Sequence, residues 1–494
     1  MKNIIMIFAL LLSPVISYAE NTHITKAMGL YKQKEINKAV TLLIENIRFE
    51  DITSLSSIEK LKYALILNQN ILMYKDILNK SVTTQNIFLN TLVSDTGKDK
   101  SKLARLFLTE TLILKKDLTA AEENLAAFKQ ENNSDNKIHS IINYYYSWVA
   151  RVKNDKKAID NLENQLAKDD VLGKLGFASL DVLTQGKSQV SSNEVMAASD
   201  HFIKNRNILS MRFANYAVRI FTHNGDLALA SNVMQMLDQK LPSYTENITQ
   251  FKQINFYEPS LIDSVTSFYI ALSRHILEEL KKDAKYHDMA VYYLSDIELM
   301  ISNKKSAQLF KEDMLKLKRL PKGLSSILAI RQNAHGYLFG KTTRAFQAWE
   351  KAVNNAKNNP RMGAEAVLMC IYLSANCPTI VQTAQLKAEN GRSKRFEALN
   401  TNVGRYFLYK EEYIKALRLL ENALDRSKAD GILMNEPILL INLAEIYRLD
   451  QRYSESLQIF FSLGQNFPIV RQIQDAVQGE YLFKQRSTGK SNVF

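Results

Sequence analysis

Proline and glycine are scarce in this chain, at 8 and 16 of 494 residues. Sheets need tight turns and tight turns draw on those two residues, so an extended β architecture is excluded before any pattern is read. β-Branched and aromatic residues do not alternate over a long window either, which leaves helix as the dominant element. Cysteine is rarer still, at two residues, too few for a disulfide framework or a four-thiol metal site. The GxSxG nucleophile turn is missing, and histidine occurs only singly from His23 to His335. No cofactor and no metal site is expected. Paired carboxylates that cleave glycans need no sequence signature, so that chemistry stays open.

Long hydrophobic runs are also lacking. The longest, Ile4 to Leu12, follows Lys2 and precedes the small-residue pattern Ser17-Tyr18-Ala19. It falls short of the roughly 18 residues that span a bilayer, and its layout predicts a secretory signal peptide over residues 1–19, cleaved after Ala19. No cysteine follows that site to carry a lipid. The chain is thus expected to be exported, periplasmic or secreted, and soluble after cleavage. Cleavage removes one lysine and takes the formal charge from +13 to +12. Lys304, Lys305, Lys311, Lys316, Lys318, Arg319 and Lys322 concentrate that charge in one stretch. A solvated helix face is one reading, and a patch for an anionic polymer or lipid head groups is the other. Nucleic acid is not an expected partner of an exported chain.

What the sequence does contain is self-similarity. Val403, Gly404, Phe407, Tyr413, Ala416, Leu420 and Ala423 stand at spacings that return forty residues later. The second copy is Leu443, Ala444, Tyr447, Tyr453, Ser456, Phe460 and Leu463, followed by Pro468. Two antiparallel helices pack closely where one offers a small residue and the other a ring, so Gly404 and Ala416 make room for Phe407 and Tyr413. The turns fall at Lys410 to Glu412 and Asp450 to Arg452. Another copy runs Val218, Phe221, Gly225, Leu227, Ala230, Met234, Leu237 and Pro242. Weaker ones centre on Ala39, Ala121, Ala158, Ala290 and Ala345.

This pattern resembles the tetratricopeptide repeat. The resemblance implies an all-α fold, a right-handed solenoid of antiparallel helix pairs that is degenerate except at its C-terminal end. It also implies a concave groove lined by first helices, where protein partners dock. The groove positions of the two clearest copies would be Arg405, Leu408, Tyr409, Glu445 and Arg448. Exported members of the family serve envelope assemblies such as pilus, secretion or polysaccharide-export machines. The expectation is therefore a non-enzymatic, protein-binding scaffold of the cell envelope. A glycan-binding or lytic enzyme on a helical platform and a secreted factor that binds a host partner are the alternatives.

The expected organisation places N-terminal repeats at 20–172, a Gly- and Ser-rich hinge at 173–192 and central repeats at 193–374. A loop-rich joint at 375–396, the clear repeat pair at 397–468 and a helix with a polar tail at 469–494 complete it. Ser191 and Glu194 form a capping box that opens the helix after the hinge. Gly336 to Thr342 mimics a phosphate-binding loop, but it has three residues between its glycines where four are needed, and it follows helical spacing. Cys370 and Cys377 on one continuous helix would stand about 10 Å apart, too far to bridge. Pro378 allows the chain to turn back between them, so a disulfide and two free thiols both remain open.

Overall fold

The computed structural model describes residues 21–487 except 34, 96–101, 132–135, 167–169, 204–207, 240–243, 249–250, 257–258, 302–312, 314–316, 318–319, 321, 392, 429–435 and 468–469. The expected signal peptide lies outside them. Among the described residues the fold is all-helical but for one hairpin. Helices α1 (Thr22–Lys32) and α2 (Ile36–Asn46) precede the long α3 (Ser57–Asp95). Then come α4 (Lys102–Leu114), α5 (Leu118–Glu131), α6 (Asn136–Lys153), α7 (Lys156–Asn164), α8 (Val171–Gln185), α9 (Ser192–Ile203), α10 (Ile208–Asn224) and α11 (Leu227–Gln239). After the hairpin follow α12 (Pro259–Lys281), α13 (His287–Ile301), α14 (Lys322–Leu338), α15 (Thr342–Asn354), α16 (Pro360–Tyr372) and α17 (Pro378–Asn390). The chain closes with α18 (Glu397–Tyr409), α19 (Tyr413–Lys428), α20 (Glu436–Leu449), α21 (Tyr453–Asn466) and α22 (Val470–Ser487). No described helix is long and apolar enough to cross a membrane.

The hairpin was not expected. Strands β1 (Tyr244–Ile248) and β2 (Phe251–Phe256) pair antiparallel, with Tyr244 opposite Phe256. Both are rich in aromatic and β-branched residues, the types that favour a pleated surface. They are too short to register in a search for long alternation.

Packing divides the chain into two compact units. One contains residues up to Leu43, Asp51–Asn70 and Ser273–Ile459. Its core gathers Trp349, Val353, Val367, Leu399, Val403, Leu420 and Leu443, all fully buried. The other contains Ile44–Glu50, Ile71–Leu272 and the chain from Phe460 onward. There α8 packs on α6 and α10, and α22 packs on β2.

One turn recurs between paired helices. Lys116, Asn154, Gly225, Gly340, Ser374, Glu411 and Gln451 all adopt positive φ, between 48° and 85°. At each, the next residue's N–H donates to the carbonyl five residues back, as Glu412 does to Phe407 and Arg452 to Tyr447. This closes the orphan carbonyls of the first helix. Five residues beyond that position Ala121, Ala230, Ala345, Ala416 and Ser456 are fully buried, as are Ala39 and Ala290 of the other expected copies. The copy at Ala158 is displaced by one, because the turn at Asn154 puts Ile159 in the small-residue place and leaves Ala158 half-buried. A Cβ on Gly404 would lie 2.8 Å from Leu420 Cγ, so the second helix approaches there as anticipated. Tyr413 does not fill that space: it stays 38% exposed, and Leu420 takes its place.

Left-handed backbone strains any residue with a Cβ by about 1 kcal/mol or more. Glu411→Gly is therefore expected to stabilise the fold by about 0.5 kcal/mol net of glycine's added unfolded-state entropy. Gly340→Ala is expected to destabilise by about 1 kcal/mol. Denaturant unfolding of the two variants checks this. Shifts of the same sign would refute the turn geometry.

Two expected joints turn out to be helical. Residues 173–185 belong to α8, and only Gly186 to Ser191 interrupt the helices. Gly176 serves packing and not bending: a Cβ there would meet Tyr144 at 3.0 Å and Tyr216 at 3.2 Å. The capping box is formed, with Ser191 Oγ donating to Glu194 Oε2 at 2.7 Å. The 375–396 segment is mostly α17, because Pro378 starts a helix at its first position, where no N–H is needed.

Candidate functional site

The first helices of the Ser273–Ile459 segment carry charged side chains into the interior. Arg331 of α14 donates from Nε to Glu365 Oε1 of α16 at 2.5 Å, and from Nη1 to the Tyr292 carbonyl and Ser295 Oγ of α13 at 3.1 Å each. Its Nη2 lies 3.6 Å from Asp296, and its guanidinium stacks over the Tyr292 ring at 4.7 Å. Burial works against the charged guanidinium, but Asp296 and Glu365 more than reverse this and hold its pKa well above the usual value. Beside it, burial and then the Arg331 charge bring the His335 imidazole down to about 4.

The row continues on later helices. Asn402 of α18 donates to the Ala364 carbonyl at 2.9 Å, which ties α18 to α16. Arg405 donates from Nη1 toward Asn402 Oδ1 at 3.4 Å. On α20, Arg448 makes a two-pronged contact with Glu445, at 3.0 and 2.8 Å. Burial of Tyr372 at the end of α16, with Asp296 next, pushes its phenol far up. Such groups cost too much to bury unpaired. The Arg331–Glu365 and Asn402–Ala364 contacts join neighbouring first helices, whereas Arg405–Asn402 and Arg448–Glu445 pair within one helix.

The second unit has its own row. Tyr145 donates to Glu110 Oε2 at 3.1 Å and accepts from Arg212 Nη2 at 3.0 Å. Arg219 donates to Ser179 Oγ and to the Ser260 carbonyl, each at 2.9 Å. Arg151 bridges Asp181 at 2.7 Å and Glu163 at 2.8 Å.

This arrangement corrects the expected groove. Arg405, Leu408, Glu445 and Arg448 are buried, and of the five anticipated positions only Tyr409 is exposed. Glu445 and Arg448 are buried against each other as an ion pair, and Arg405 lies against Asn402. Asp296, Arg331 and Glu365 were not singled out from the sequence. Arg331 and Glu365 share one place, nine residues before Gly340 and Ser374, and the two clearest copies hold Asn402 and Asn442 there, so those copies carried no charge to signal it.

Around the α18–α19 turn the surface is different. Tyr409 and Tyr413 are each over a third exposed and Ile414 is 87% exposed. Burial, then Glu411, raises the Tyr413 phenol pKa, so it stays protonated as a hydrogen-bond donor. These three residues form the candidate contact surface. Lys304, Lys305, Lys311, Lys316, Lys318 and Arg319 of the basic stretch lie outside the described residues, and Lys322 is the first residue of α14. Gly336 lies within α14 and Gly340 in the helix-pair turn, so no phosphate cradle forms. Among the described residues no group of His, Cys, Asp and Glu could hold a metal ion. Cys370 and Cys377 are joined in a disulfide, with Cα atoms 6.2 Å apart.

No family model matches the chain, and no curated protein matches it in sequence.

Proposed function

We propose that the protein is an exported, non-enzymatic scaffold of the cell envelope. In this reading its helix pairs form a right-handed solenoid of tetratricopeptide type, and it holds a protein partner that serves an assembly such as a pilus, secretion or polysaccharide-export machine. The observation that carries the reading is the single helix-pair turn repeated at seven places among the described residues. Repetition of one unit builds an extended binding surface more readily than a closed catalytic pocket. The partner is taken to dock on Tyr409, Tyr413 and Ile414, since exposed aromatic and aliphatic side chains at one turn supply contact area with little entropy to lose. The basic stretch from Lys304 to Lys322 would add a contact to an anionic polymer or lipid head groups.

Crosslinking the tagged mature protein in its native envelope, followed by mass spectrometry, tests this. One abundant protein partner is expected. Recovery of cell-wall glycan without a protein partner would overturn the scaffold reading in favour of a glycan-directed protein.

A further inference from the structure

Six of the seven recurring turns start the second helix two residues after the left-handed position: Lys116 precedes Leu118, Asn154 precedes Lys156, and Glu411 precedes Tyr413 in the same way. The α16–α17 turn departs from this. Its left-handed residue is Ser374, yet α17 starts four residues later at Pro378. The N–H of Ala375 still donates to the Cys370 carbonyl at 2.9 Å, so the common turn is made and then extended by two residues. Cys377 occupies the N-cap of α17 with no side-chain cap, and Pro378 removes another donor. The disulfide ties this uncapped start to the last turn of α16.

We propose that Cys370–Cys377 is a redox latch that offsets the two-residue insertion and holds α17 more firmly docked in an oxidising compartment than in a reducing one. Two features make the latch consequential. Cys370 and Cys377 are 1% and 2% exposed, within the core that includes Ile380, Val381 and Ala384 of α17. The helix that holds Cys370, α16, also carries Glu365 and Tyr372 of the buried polar row. Closure needs an external disulfide oxidant. One cysteine thiolate attacks it to form a mixed disulfide, and the other displaces the carrier. The protein loses two protons and two electrons, and the oxidant leaves as two thiols. Reductant reaches the buried sulfurs only when α17 opens, so in native buffer opening limits the rate of reduction.

The full mature chain, purified without reductant, supplies the test. Denatured, it should show no titratable thiol before reduction and two after. Reduced with a phosphine in native buffer, it should melt about 5 °C lower, and amides of α17 should lose hydrogen-exchange protection about 50-fold while α19 changes little. Oxidised glutathione should restore both. Two free thiols in the unreduced chain would overturn the latch. So would an unchanged melting temperature and exchange pattern on reduction, or a loss of protection spread evenly through both helices.

Discussion

Arg331→Ala is expected to destabilise its unit by about 3–5 kcal/mol, the usual consequence of removing one partner from a buried ionic cluster. The guanidinium touches Glu365, Asp296, Ser295 and the Tyr292 carbonyl, so its loss strands two carboxylates in the interior. A triple change, Arg331→Met with Glu365→Leu and Asp296→Asn, removes the charges together and is expected to recover more than half of that loss. Denaturant unfolding of the full chain reads both. If Arg331→Ala falls within about 1 kcal/mol of wild type, the row does not hold the helices.

Acid is expected to weaken the same unit through His335. Its folded pKa of about 4 lies below the roughly 6.5 of an unfolded histidine, so the unfolded chain takes up the proton first. The stability is complete above pH 6.5, declines as pH falls, and is lost through about pH 4. The full loss amounts to about 3 kcal/mol, of which about 2 kcal/mol is gone by pH 5. Glu397 works the other way. Its pKa is raised by burial, so the fold gains there as the carboxyl protonates. His335→Gln isolates the histidine contribution, because the amide cannot titrate. Melting temperatures from pH 7.5 to 4.5 should fall clearly less steeply in the variant, and parallel curves would contradict the assignment.

The parts of the fold that rest on local chemistry were legible in the sequence. Gly404, where a Cβ would lie 2.8 Å from Leu420 Cγ, and the fully buried Ala416 and Ser456 announced close helix approach. The turns at Lys410 to Glu412 and Asp450 to Arg452 followed from the forty-residue repeat even though Glu411 and Gln451 are not glycine. Composition misled at 173–192, where Gly173 and Gly176 serve close packing in a helix, and at 375–396, where the expected loop is mostly a helix that Pro378 starts after the turn. The polar row was hidden for a different reason. An Arg and a Glu on a first helix look the same whether they face solvent or a counter-charge, and the counter-charge for Arg331 sits 34 residues away on α16. Burial of charge is a property of neighbouring helices, and no spacing within one helix reveals it.

The buried charged residues hold the helices together, and Tyr409, Tyr413 and Ile414 are the residues proposed to meet a partner. Crosslinked partner yield is compared between wild type and Tyr409→Ala with Ile414→Ser, with melting temperature recorded on the same preparations. Partner yield is expected to fall at least about tenfold, while melting stays within about 1 °C because both side chains are exposed. An undiminished yield at unchanged melting temperature would contradict the account.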